Sequence, residues 1–135
     1  MKKILFLLLL CVVFYSCTDN HVAEIKELCK KGDELVENEE YELAIEEYGK
    51  AIELNSDSAI NAYIGRGDAY DRLEKYKEAL LDLNTAIKLD PEYAWAYRNR
   101  GVMKDRLRQS PCSDYKKACD LGYEECCDWY EDECD

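Results

Sequence analysis

Residues 41–54 read YELAIEEYGKAIEL, with apolar side chains at Tyr41, Ala44, Ile45, Tyr48, Ala51 and Ile52. Steps of three and four place them on one face of a helix. YKEALLDLNTAIKL repeats the pattern 35 residues on, at Tyr76, Ala79, Leu80, Leu83, Ala86 and Ile87. The stretches before each, 22–36 and 59–73, also carry helical periodicity. Laying 31–58 over 66–93 puts Gly32 on Gly67, Tyr41 on Tyr76, Ala44 on Ala79, Ala51 on Ala86 and Leu54 on Leu89. A third start follows, with Gly101 lying 34 beyond Gly67. Two helices per unit at this period predict an all-α solenoid of antiparallel helix pairs. A glycine inside a helix costs about 1 kcal/mol against alanine, so glycine at the same place in each unit predicts a close helix approach. Asp90-Pro91 and Ser110-Pro111 each read as an N-cap followed by a first helical position.

The third unit is short. Its second helix, CSDYKKACDLG, starts about two residues early by the repeat register, and Gly122 reads as its C-cap. Tyr123, Cys126, Cys127, Tyr130 and Cys134 then define one face of a last helix. Glu124, Glu125, Asp128, Glu131, Asp132 and Glu133 give it the polar outer side a terminal cap needs.

At the other end, Lys2 and Lys3 precede ILFLLLLCVVFY, twelve uncharged residues from Ile4 to Tyr15. That run has the length of a secretory signal core and is too short for a membrane span of about 20 residues. Removing 1–16 takes both lysines and moves the formal charge from −12 to −14. Such acidity argues against nucleic acid as a partner. An exported location permits disulfides.

The 34–35-residue period, with Gly67, Ala79 and Ala86 as small residues, Tyr63, Tyr70 and Tyr76 as large ones and Pro91 closing a unit, resembles the tetratricopeptide repeat. The resemblance covers residues 25–121. It implies a short right-handed α-solenoid: repeats over 25–59 and 60–93, a shortened repeat over 94–121 and a capping helix over 122–135. It also implies an adaptor that holds a protein or peptide partner in a concave groove lined by the first helix of each pair. By that resemblance the groove displays Asn61, Ile64, Asp68, Asp71, Arg72, Trp95, Arg98, Val102 and Asp105. The full basic clamp by which chaperone-binding members hold a peptide carboxylate is absent; Arg98 alone does not make it. FYSC, residues 14–17, resembles the lipobox of bacterial lipoproteins. This implies a signal peptide over 1–16, acylation of Cys17 and a lipidated tether over 17–24. The lipid anchor would sit in a bacterial envelope, with Thr18 leaning to the outer membrane.

Five cysteines fall between Cys112 and Cys134. Two cysteines seven apart on one helix are about 10 Å apart, beyond the roughly 7 Å a disulfide spans. Folding the last two helices antiparallel about Gly122 pairs residues of constant index sum. Cys119 with Cys127 and Cys112 with Cys134 share one register, and Cys119–Cys126 is the rival for the first rung. YKKACDLG also resembles the cysteine-stapled helix pairs of Sel1-like repeats. Cys29 and Cys126 are left without partners. No ligand histidine or CxxC accompanies the tail, so no metal or other cofactor is expected. No nucleophile–base constellation or phosphate loop marks an enzyme. The adaptor is therefore the first reading. A subunit docking edge-on in a larger secretion or uptake complex is the second, and a redox or metal role for the tail the third.

Overall fold

The computed structural model describes residues 21–134. The expected leader over 1–16 and the expected acylation site Cys17 lie outside them. Among the described residues seven α-helices follow in order: α1 over 21–37, α2 Tyr41–Leu54, α3 Ile60–Arg72, α4 Tyr76–Leu89, α5 Ala94–Arg106, α6 Cys112–Asp120 and α7 Glu125–Cys134. The last part of the expected tether, residues 21–24, is thus helical. A 3-10 turn, Ser56–Ser58, takes up the extra residue between the first two units. From α2 onward each helix packs on the next, and α1 packs on α2 through Gly32 and Tyr48, so the described residues form an all-α solenoid. Among the described residues no helix is long and apolar enough to cross a membrane.

The repeat shows in the packing. The Tyr48 ring occupies the place a Cβ on Gly32 would need, and the Tyr115 ring does the same at Gly101. Leu83 sits more loosely against Gly67, with Cγ 3.5 Å from the Cβ position. Ala51, Ala86 and Ala118 are fully buried at the matching sites of α2, α4 and α6.

The cation before each of these glycines makes an ion pair with the second helix. Lys31 Nζ donates to Glu47 Oε1 at 2.8 Å. Arg66 binds Asp82 bidentately, at 2.7 and 2.8 Å. Arg100 Nη2 donates to Asp114 Oδ1 at 2.6 Å, and Lys104 Nζ lies 2.7 Å from Asp114 Oδ2. The first two pairs span 16 residues and the third 14, which is the two-residue shortening of the last unit. Each acid is buried, so each cation offsets a desolvation cost that would otherwise fall on a lone carboxylate.

The first helices all end alike. Glu40, Lys75 and Gln109 N–H groups reach back to Leu35, Tyr70 and Lys104 carbonyls, with Glu39, Glu74 and Arg108 in left-handed conformation. α6 ends the same way, with Tyr123 N–H on the Ala118 carbonyl and Gly122 at φ +93°. This is the Schellman stop, for which glycine is the unstrained residue.

Both proline readings are corrected. Asp90 ends α4 in an extended conformation, and its side chain accepts the Glu92 N–H at 3.0 Å. That turn occupies the carboxylate, so Tyr93 is the N-cap and α5 starts at Ala94. α6 starts at Cys112 with Pro111 in the cap position. Tyr123 precedes α7 instead of belonging to its face, and Trp129 takes the inward place, edge-on to Tyr115 at 5.4 Å.

The tail is closed by two bridges, Cys112–Cys134 and Cys119–Cys127, with Cα separations of 5.6 and 4.9 Å. Cys126, the rival for the inner rung, is fully buried among Tyr97, Tyr115 and Ala118. Its side chain faces the solenoid core, where α5 and α6 meet.

Candidate functional site

α1, α3 and α5 line one face of the solenoid. An open cavity of about 610 Å³ there is bounded by Asp33, Val36 and Glu37 of α1, by α3, and by Trp95 and Arg98 of α5. Of the residues the resemblance placed in a groove, Asn61, Ile64, Asp68, Arg72, Trp95 and Arg98 border this cavity. Asp71 and Val102 border an adjoining one of about 430 Å³, shared with Asp68, Arg72 and Arg98. Asp105 is exposed on α5 and borders neither.

The α1 members were not anticipated, although the 35-residue offset points to them. Asp33 corresponds to Asp68, Val36 to Asp71 and Glu37 to Arg72. Tyr48 was anticipated only as core. Its ring fills the gap between Gly32 and Gly65, and its hydroxyl donates to Asp33 Oδ1 at 2.6 Å. Burial and then this bond to Asp33 push the Tyr48 phenol well above its ordinary value, so it stays a neutral donor.

Trp95 is 41% exposed. Its ring meets Tyr123 edge-on at 5.5 Å. The Arg98 guanidinium lies over the Trp95 ring at 5.1 Å and over the Trp129 ring at 5.3 Å, and donates to Asn99 Oδ1 at 2.9 Å. Trp129 comes from α7, so the stapled helix helps hold the guanidinium that borders this end of the groove. Each such cation–π contact contributes about 0.5–1 kcal/mol, and together they hold the guanidinium in place. Arg98 Nε is buried without an acceptor among the described residues. Arg98 also borders a pocket of about 20 Å³ between α3 and α5, space for one water. The Asp71 carboxyl is raised by burial, with Arg106 opposing.

Among the described residues the two free thiols, Cys29 and Cys126, are buried. Burial, then Asp33, pushes Cys29 up to about 11, and burial raises Cys126 against the pull of Arg98. A reactive cysteine needs the reverse shift and access to solvent. Among the described residues no cluster of His, Cys, Asp and Glu could hold a metal ion.

These features define a class: a helix-pair solenoid whose first helices form an open face with an exposed tryptophan and an arginine at one end. The family model described as TPR repeat matches residues 32–74 and 67–104, more than half of the chain. The chain belongs to the tetratricopeptide repeat family.

The small glutamine-rich tetratricopeptide repeat-containing protein 2 of Saccharomyces cerevisiae is 33% identical over 101 residues, covering 73% of this chain and 29% of its own length. The SGT1 homolog of Oryza sativa subsp. japonica is 38% identical over 86 residues, covering 64% and 23%. The chain spans between 5% and 29% of the length of these and other curated relatives it matches. A solved structure described as the first TPR of Spaghetti (RPAP3) bound to HSP90 peptide SRMEEVD is similar with a TM-score of 0.76 at 25% identity, covering 82% of this chain and 90% of that one.

Proposed function

We propose that this chain is a membrane-tethered adaptor that holds an extended segment of a partner protein in the face formed by α1, α3 and α5. The observation that carries the reading is the open cavity bounded by those three helices, with Trp95 and Arg98 at its edge. Tryptophan and arginine are the side chains that most often dominate binding energies. The relative bound to an HSP90 peptide supports a peptide as the occupant. The tether rests on the sequence: a basic start, a short apolar core and FYSC, with Cys17 as the acylated residue in a bacterial envelope. Two acyl chains anchor stably where one does not.

The test compares partner retention by the wild type and by Trp95→Ala/Arg98→Ala. Loss of the order of tenfold or more is expected, as for a pair of dominant contacts. Cys17→Ser should move the protein from the membrane to the soluble fraction and abolish lipid labelling.

A second reading, docking of the opposite face in a larger envelope complex, is favoured by Leu43 and Leu81. They are 47% and 68% exposed on α2 and α4. Under that reading the Trp95→Ala/Arg98→Ala variant retains its partner and Leu43→Ser/Leu81→Ser loses it.

A further inference from the structure

The cations of the first helices are largely committed inside the repeats. Lys31 is held by Glu47, Arg66 by Asp82, and Arg100 and Lys104 by Asp114. The carboxylates on the open face are not matched in the same way. Among the described residues, Asp33, Glu37 and Asp71 make no ion pair within 4.0 Å, and Asp33 accepts only from the neutral Tyr48 hydroxyl. Asp68 has Arg72 at 4.0 Å, with both side chains well exposed. The other cation bordering the main cavity, Arg98, lies over two indoles at the far end. The face is therefore polar along its length, with surplus carboxylate toward α1 and an aromatic-covered cation toward α5 and α7.

A second observation is independent of charge. Among the described residues the buried Arg98 Nε has no acceptor, and the Arg98 side chain borders a pocket of about 20 Å³, space for one water. A main-chain carbonyl of an extended segment lying across α3 and α5 could reach it through a water held in that pocket.

We infer that the groove is built for a cationic extended segment: lysine or arginine side chains against Asp33, Glu37 and Asp68, and an apolar or aromatic side chain against Trp95. This rests on the adaptor reading and specifies its partner. It runs against the bound peptide of the RPAP3 structure, whose EEVD end is acidic. Asp33, Glu37 and Asp68 would repel an acidic segment laid along this cavity, and like charges in apposition exclude a partner. The protein's net charge of −12 adds long-range attraction for a basic segment.

The test is a binding titration of the full mature chain with a synthetic peptide carrying lysines around one tryptophan. Sequence-matched peptides with glutamate or glutamine for lysine are the controls, each run at two salt concentrations. The lysine peptide should bind about tenfold tighter than the glutamine one at low salt, and the glutamate peptide weakest. Asp33→Asn/Glu37→Gln/Asp68→Asn should level the three while keeping the helical signal, because an amide oxygen in place of the Asp33 carboxylate still accepts from Tyr48. Equal or tighter binding of the glutamate peptide overturns the charge inference and leaves a groove binder. Failure of all three peptides overturns the inference together with the adaptor reading.

Discussion

Replacing Cys112 and Cys134 by serine removes the outer bridge, and replacing Cys119 and Cys127 removes the inner one. The bridges close loops with sequence separations of 22 and 8. In the chain-entropy description, loops of those lengths stabilise by about 3.4 and 2.5 kcal/mol. The inner loop is nested in the outer. With the inner bridge closed, the outer one constrains roughly 14 further residues, and its share falls to about 3 kcal/mol. Either loss is a large part of the roughly 5–15 kcal/mol that holds a domain folded. The assay is equilibrium urea unfolding followed by helical circular dichroism, with amide exchange under native conditions. Both variants should unfold at lower urea, the outer-bridge variant slightly lower. Exchange should rise first in α7, which packs mainly on α6 and carries repelling acids on its outer side. Unchanged midpoints, or a much larger loss from the shorter loop, would refute the entropic reasoning. Uniform exchange gain across α1 to α7 would refute the idea of a separately stapled cap.

The remaining expectations concern the repeats. Gly101→Ala drives a methyl into the Tyr115 ring and should lower stability by about 1–3 kcal/mol. Gly67→Ala meets Leu83 at ordinary contact distance and should gain up to about 1 kcal/mol of helix propensity; thermal melts should shift in opposite directions. Glu74→Gly relieves a left-handed glutamate at φ 58° and should raise stability by about 1 kcal/mol, and an unchanged melting temperature would count against strain there. Hydrogen bonds from Lys31 and Lys50 hold the Glu47 carboxyl below its ordinary 4.5. Its contribution is complete above that value and lost as pH falls through the lower folded value. Urea midpoints from about pH 7 to about pH 3 should therefore fall less steeply in Glu47→Gln than in the wild type.

The helices were legible because Ala44, Tyr48 and Ala51, and their counterparts at Ala79, Leu83 and Ala86, keep one apolar face through two units. The bridges were legible because cysteines on two facing helices must share a register. Cys126 was ambiguous by register alone, and its turn toward Tyr97 and Tyr115 decides it. The ion pairs were hidden, since Glu47, Asp82 and Asp114 lie among many solvated acids and only their partners across 14 or 16 residues distinguish them. The left-handed stops at Glu39, Glu74 and Arg108 carry no glycine and so left no signal. Asp90-Pro91 misled because the same aspartate that can cap a helix also closes a turn. Most of the groove of α3 and α5 came from the family resemblance; its α1 wall needed the offset of 35 applied to Asp68 and Arg72.

The most direct test of the concave face as the binding face is site-specific photo-crosslinking in cells. A photoreactive side chain replaces Asn61, exposed in the groove, or Leu81, exposed on α4. A groove binder gives a discrete adduct from position 61, lost in Trp95→Ala/Arg98→Ala, and none from position 81. An adduct from position 81 alone would contradict the groove and place the partner on the opposite face.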